Sequence, residues 1–95
     1  YTAPDRPGWI KDGSGREIWP LDRYLDEGPR STDWLAKGVL KQHRTVGTYL
    51  NLLLEQGFAL SRVVEWGPTE AQIAQYPQWA VERHRPPFLL VSARR

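Results

Sequence analysis

The sequence predicts an α/β fold, and three stretches carry that expectation. His43 to Phe58, HRTVGTYLNLLLEQGF, reads as one amphipathic helix stopped by a glycine and followed at once by a strand. The closing ERHRPPFLLVSARR reads as a buried strand reached through a double proline. Between Trp9 and Trp19 a glycine loop separates two matching arms, a hairpin signal. A helix between strands, ending on a strand apolar on both faces, belongs inside a larger sheet. Few residues remain to build that sheet. The chain therefore reads as the tail of something bigger, with an aromatic-rich insertion in front.

Taken in order, residues 1 to 8, YTAPDRPG, hold two prolines and a glycine and should be extended or loose. The hairpin turns on Gly13-Ser14-Gly15, with Asp12 facing Arg16, Lys11 facing Glu17, Ile10 facing Ile18 and Trp9 facing Trp19. Two opposite-charge pairs and two apolar pairs in one register are what cross-strand stabilisation favours. Pro20 ends the second arm. Leu21 to Asp26 fits either a strand or a short helix, and Glu27-Gly28-Pro29 is a turn signal. Residues 30 to 38 are polar, with Trp34 and Leu35 as anchors, and Val39 to Arg44 could return as a strand.

Helix periodicity is clearest from 45 to 56. Val46, Tyr49, Leu50, Leu53 and Leu54 form one apolar stripe on a 3.6-residue period. Thr45 can cap its start, Gly57 suits the left-handed residue past its end, and Phe58 can fold back onto Leu53 or Leu54. Phe58 to Trp66 follows as a strand, with Phe58, Leu60, Val64 and Trp66 expected on one face together with Arg62. Gly67-Pro68 ends it. Thr69-Glu70-Ala71-Gln72 has the form of a capping box, and Pro77 closes the short helix after Tyr76. A further helical turn is expected from about Gln78 to His84, and Phe88 to Val91 forms the last strand.

Composition removes several function classes. The 95 residues make one domain at most, and a domain of that size has little stability to spare. With no cysteine there is neither a disulfide framework nor thiolate chemistry, which fits a reducing cytosol, so a cytoplasmic location is expected. No apolar run approaches the roughly 20 residues that span a bilayer, so no membrane association is expected. The opening Tyr1-Thr2-Ala3-Pro4 has no initiator methionine, in keeping with a piece of a longer protein. A net charge of +2 is spread out rather than gathered into a phosphate-tracking stripe, so nucleic acid is not an expected partner.

The search for chemistry is short. Gly13-Ser14-Gly15 is too short for a phosphate cradle and its flanks say hairpin. His43 and His84 stand far apart without the spacing of metal ligands, so no metal site is expected. No serine sits on a strained elbow beside a base and an acid. His43, at the start of a helix, could meet a substrate, although a structural role is the commoner fate of such a histidine. Asp22, Asp26 and Glu27 could face a cleft or simply a solvated rim. Trp9, Trp19, Tyr24, Trp34 and Tyr49 could line an apolar pocket or serve as the core of a small domain.

From about Pro7 onward the chain resembles the C-terminal part of a class I S-adenosylmethionine-dependent methyltransferase, of the bacterial small-molecule, ubiquinone-biosynthesis-like group. The resemblance is carried by Tyr24-Leu25-Asp26-Glu27-Gly28, by His43-Arg44-Thr45 leading into Thr48-Tyr49-Leu50-Asn51, and by Leu53-Leu54-Glu55-Gln56-Gly57-Phe58. Glu65, Pro68, Tyr76-Pro77 and Arg85-Pro86-Pro87-Phe88-Leu89-Leu90 continue it in the same order. It implies the end of a Rossmann-like sheet: residues 45 to 95 as the C-terminal α/β portion, whose last two strands are antiparallel, and residues 1 to 44 as a hairpin-bearing lid over the methyl-acceptor pocket.

The resemblance also implies S-adenosylmethionine as cofactor of the intact protein, held by a glycine-rich loop and an acidic strand end that these residues lack. No cofactor-binding residue is therefore expected here, and the 95 residues alone should be inactive. Tyr24, His43, Arg44 and Tyr49 are the candidate substrate-binding residues, with His43 a candidate base, and the partner is a small-molecule methyl acceptor. The competing reading is a free-standing binding or dimerisation module that self-associates through the edge near Phe88 to Val91.

Overall fold

The computed structural model describes residues 3–4, 8–34 and 36–95. Its strands form three antiparallel two-stranded sheets among the described residues. The first is the expected hairpin, β1 (Ile10–Lys11) with β2 (Glu17–Ile18), pairing Ile10 with Ile18 and Lys11 with Glu17. Asp12 closes the turn: its Oδ1 accepts from the Ser14 hydroxyl and from the backbone N–H of Ser14 and Arg16. These bonds, the Ser14 hydroxyl foremost, hold the Asp12 carboxyl below its ordinary range.

The second sheet corrects the reading of the insertion. Gly28-Pro29 opens a strand rather than a turn: β3 (Gly28–Trp34) pairs with β4 (Ala36–His43) from Gly28 opposite His43 onward. Proline is tolerated there because β3 is an edge strand near its first residue. Leu21 to Asp26 is neither strand nor helix. It runs irregularly into a turn at Tyr24 and Leu25, where Arg23 takes a left-handed φ of 45°. Leu35 lies outside the described residues, as do the Trp34 side chain and most of the opening segment, so their expected roles go undescribed.

Helix α1 (Val46–Glu55) has the expected ends. Thr45 Oγ1 accepts from the Thr48 N–H at 3.1 Å. At the other end Gly57, with φ 87°, donates to the Leu54 carbonyl while the Phe58 N–H reaches the Leu53 carbonyl. Those are the two bonds of a Schellman motif.

The third sheet joins β5 (Ala59–Trp66) to β6 (Phe88–Arg94), with Trp66 opposite Phe88 and Ala59 opposite Arg94. One extra residue in β5, Ser61, shifts the register between Leu60 and Arg62, and its hydroxyl donates to the Ser92 carbonyl at 3.1 Å. The shift moves Leu60 off the expected face. It now stands opposite Ala93, on the side of Val63, Leu89 and Val91, while Val64 and Trp66 share the other side with Phe88 and Leu90. Apolar residues thus occupy both faces of this ribbon.

Between these strands lie α2 (Glu70–Gln75) and a 3-10 helix (Pro77–His84). The capping box at Thr69 and Gln72 is formed in both directions. The β1–β2 hairpin docks against the end of the 3-10 helix. Trp9 and Trp19 meet edge to face at 5.1 Å, and the Arg85 guanidinium lies 4.3 Å from the Trp19 ring centre and 5.2 Å from that of Trp9. Glu82 pairs with Arg85 from behind.

Packing between elements is thin. Among the described residues Ala3 is the one non-proline apolar side chain fully withdrawn from solvent. Phe88 keeps 59% and Leu90 54% of its surface exposed. The radius of gyration is 15.4 Å, where a compact chain of this length would have about 12 Å. Several large apolar side chains are thus displayed to solvent.

Candidate functional site

The start of α1 is built by side chains from three directions. The Tyr24 hydroxyl accepts from the Val46 N–H at 2.8 Å, and a Glu27 carboxylate oxygen accepts from the Thr45 N–H at 2.8 Å. With Thr45 capping Thr48, these groups satisfy N–H groups that every helix start leaves open. The carboxylate also sits where the helix dipole favours negative charge. Bonds from the Thr48 hydroxyl first, and then from the Thr45 N–H, hold Glu27 below the ordinary carboxylate value of 4.5.

His43 lies behind this arrangement with no exposed surface. Its Nε2 is 2.9 Å from the Tyr24 carbonyl. A carbonyl only accepts, so Nε2 carries the proton and donates. Nδ1 is buried and without a hydrogen-bond partner. The two rings meet edge to face at 5.6 Å. Solvent reaches neither ring nitrogen in this conformation.

Arg30 does the work that residue types did not announce. Its side chain is 2% exposed. Nη1 donates to the carbonyls of Ala3 at 2.9 Å and Asp22 at 2.7 Å, and Nη2 to those of Arg23 at 2.6 Å and Asp26 at 3.3 Å. The Asp22 carboxylate stands 3.6 Å away. A buried guanidinium thus gathers the turn that carries Tyr24. The sequence held one faint signal: an arginine closely following three acidic residues, Asp22, Asp26 and Glu27.

Beside the helix start runs a groove of about 750 Å³ between β4, α1 and β6. Lys41 and Gln42 form one wall, Tyr49, Leu52 and Leu53 the second, and Pro87, Phe88, Leu89 and Val91 the third. Of the four residues singled out from the sequence, Tyr49 lines this groove. Tyr24 and His43 are brought together at the helix start, and Arg44 is exposed just past β4. The sequence reading missed Lys41, Gln42 and the three leucines, which alternation and helical period alone would have classed as wall or core.

Two places where a nucleotide phosphate could be cradled are engaged otherwise among the described residues. Gly13-Ser14-Gly15 closes a hairpin, and the start of α1 is already occupied by Tyr24, Glu27 and Thr45. No group of three or more potential metal ligands occurs among them. No helix among them is long and apolar enough to cross a membrane.

Comparison with known proteins then places the architecture. The structure superimposes along its whole length on an S-adenosylmethionine dependent methyltransferase from Mesorhizobium loti, with a TM-score of 0.85 and 64% identity, covering 43% of that chain. The chain is built like part of a methyltransferase. A candidate S-adenosylmethionine dependent methyltransferase from Listeria monocytogenes matches 90% of the chain at 40% identity and a TM-score of 0.72, over 38% of its own length. An uncharacterized protein of Haemophilus influenzae is 30% identical over 92 residues, 34% of its length. No protein-family model matches. The chain spans well under half the length of each of these proteins. The mixed α/β architecture with antiparallel strand pairs agrees with the fold expected from the sequence.

Proposed function

We propose that this chain is the acceptor-side, C-terminal portion of an S-adenosylmethionine-dependent methyltransferase acting on a small molecule, of the bacterial ubiquinone-biosynthesis-like kind. The observation that carries the reading is the 64% identity to the Mesorhizobium loti methyltransferase over the entire chain, with backbone agreement to match. The cofactor cradle belongs to the remainder of such a protein. The 95 residues supply the wall of the acceptor pocket.

In this reading Tyr49, Leu52, Leu53 and Leu89 form an apolar surface that holds the acceptor and excludes water, so their contribution to rate is proximity and orientation. Arg44 is the proposed polar contact at the rim. Tyr24 and His43 hold the helix that presents Tyr49. The exposed apolar faces of β5 and β6 receive the remaining strands and helices of the sheet. Titrating S-adenosylhomocysteine into the 95-residue chain and into the Mesorhizobium loti methyltransferase tests the division of labour. The account expects saturable binding to the longer protein and none to this chain below about 1 mM. Micromolar binding by the 95 residues alone would sink it.

The second reading, a dimerisation module, is favoured by one feature. Among the described residues β6 pairs on one side only, and Phe88 and Leu90 are more than half exposed on it. Edge strands of that kind recruit another chain. Sedimentation velocity across a concentration series separates the readings: a cooperative, concentration-independent monomer rules the second one out.

A further inference from the structure

We infer that Arg30 is a positioning residue that couples Ala3 and the β3–β4 ribbon to the start of α1, and through it sets the Tyr49 wall of the groove. That the groove receives a methyl acceptor rests on the function proposed above. The coupling itself does not.

The chain of contacts is continuous. Arg30 lies in β3 and reaches back to four backbone carbonyls, those of Ala3, Asp22, Arg23 and Asp26. A guanidinium presents five donors in a planar fork, so one side chain can fix several carbonyls at once. Arg23, one of those held, has φ 45°, a conformation that a residue with a Cβ leaves readily unless its surroundings impose it. The next residue is Tyr24. Its carbonyl accepts from His43 at the end of β4, and its hydroxyl accepts from Val46 at the start of α1. Glu27, one residue past Asp26, holds the Thr45 N–H. Tyr49 follows one turn along the helix and lines the groove.

Three features separate this network from an ordinary surface ion pair. The guanidinium is withdrawn from water, its partners are backbone carbonyls outside its own strand, and the turn it holds is in an unfavoured conformation. Loss of the fork should therefore free the turn first and the helix start second, while the β5–β6 ribbon, which shares none of these bonds, stays as it is. A residue that merely added global stability would act alike on every amide that exchanges through global unfolding.

Amide hydrogen exchange of the 95-residue chain, read residue by residue by NMR, makes that distinction. In the wild type the Thr45, Val46 and Thr48 amides should be protected. Arg30→Met should raise exchange at all three about tenfold and leave Val63, Val91 and the other β5–β6 amides within about twofold. Tyr24→Phe removes only the acceptor of Val46 and should raise its exchange about fivefold. Combining the two should add little at Val46 beyond the larger single effect, because both act through one contact. Arg30→Lys, which keeps charge but loses the planar fork, should fall between wild type and Arg30→Met. If Arg30→Met unfolds the chain, Arg30→Lys combined with Tyr24→Phe is read by the same rule. An unprotected Val46 in the wild type, a uniform rise across β5–β6 in Arg30→Lys, or strict additivity at Val46 overturns the inference. Failure of cofactor binding by a longer protein leaves it untouched.

Discussion

Two glycines ten residues apart should respond to alanine with opposite signs. Gly57 is the left-handed residue past α1, with φ 87°, and a Cβ built there would meet nothing within 4 Å. The penalty for Gly57→Ala is therefore backbone strain alone, about 1 kcal/mol, since a side chain in that region crowds the following carbonyl. The two terminating bonds, from Gly57 to Leu54 and from Phe58 to Leu53, hold the residue where it is and leave the strain no easy escape. Gly47 lies inside α1, and its added Cβ would approach Thr45 Oγ1 at 3.7 Å, an ordinary contact. Gly47→Ala should gain about 0.5 kcal/mol from helix propensity and a less disordered unfolded chain. For a chain of this length each kcal/mol moves the melting midpoint by about 4–8 °C. Gly57→Ala should thus melt about 4–8 °C below wild type, and Gly47→Ala about 2–4 °C above it. Circular dichroism at 222 nm, at one fixed protein concentration, reads both. A Gly57→Ala protein melting at or above wild type would refute the assignment of the helix end, and a Gly47→Ala protein as unstable as Gly57→Ala would refute the helix start.

Other outcomes follow from the same contacts. Thr69→Ala breaks the capping box of α2 and should cost about 1 kcal/mol, seen as a lower urea midpoint with an unchanged slope. Glu27 is held ionised in the folded chain, so its stabilisation is complete above its ordinary 4.5 and is lost as pH falls through its lowered folded value. Exchange at the Thr45 amide, corrected for intrinsic rate, should accelerate on acidification below that value in wild type and show no such step in Glu27→Gln. Arg85→Ala removes the guanidinium that lies over the Trp9 and Trp19 rings. It should loosen the hairpin by about 0.5–1 kcal/mol and shift tryptophan emission to longer wavelength. An unshifted spectrum would mean that the hairpin docks by other means.

Much of this fold was legible in residue order, and the failures have physical causes. The β1–β2 register could be read because every facing pair was of a kind that cross-strand contacts favour. The α1 ends could be read because a cap and a left-handed glycine are local requirements. Strand β3 was hidden by Gly28-Pro29, a turn signal that an edge strand overrides. The face of Leu60 was misjudged because a single extra residue at Ser61 reverses alternation without leaving any mark in composition. Of the candidates, Tyr49 falls on the helix stripe and lines the groove, and Tyr24 and His43 proved to be neighbours. Arg30 was not found, because its partners are backbone carbonyls and no residue type announces them. Strand β6 was read as buried, yet Phe88 and Leu90 stand more than half exposed, because these residues include too little further structure to cover the run Phe88 to Val91.

The central proposal is that these 95 residues serve as the acceptor-side portion of a methyltransferase. The most direct measurement replaces the matching 43% of the Mesorhizobium loti methyltransferase with this chain and determines the affinity of the hybrid for S-adenosylhomocysteine by isothermal titration calorimetry. The account predicts a folded hybrid that binds one equivalent with a Kd within about tenfold of the parent, a cost below about 1.4 kcal/mol. A hybrid that folds cooperatively yet binds no S-adenosylhomocysteine would contradict it.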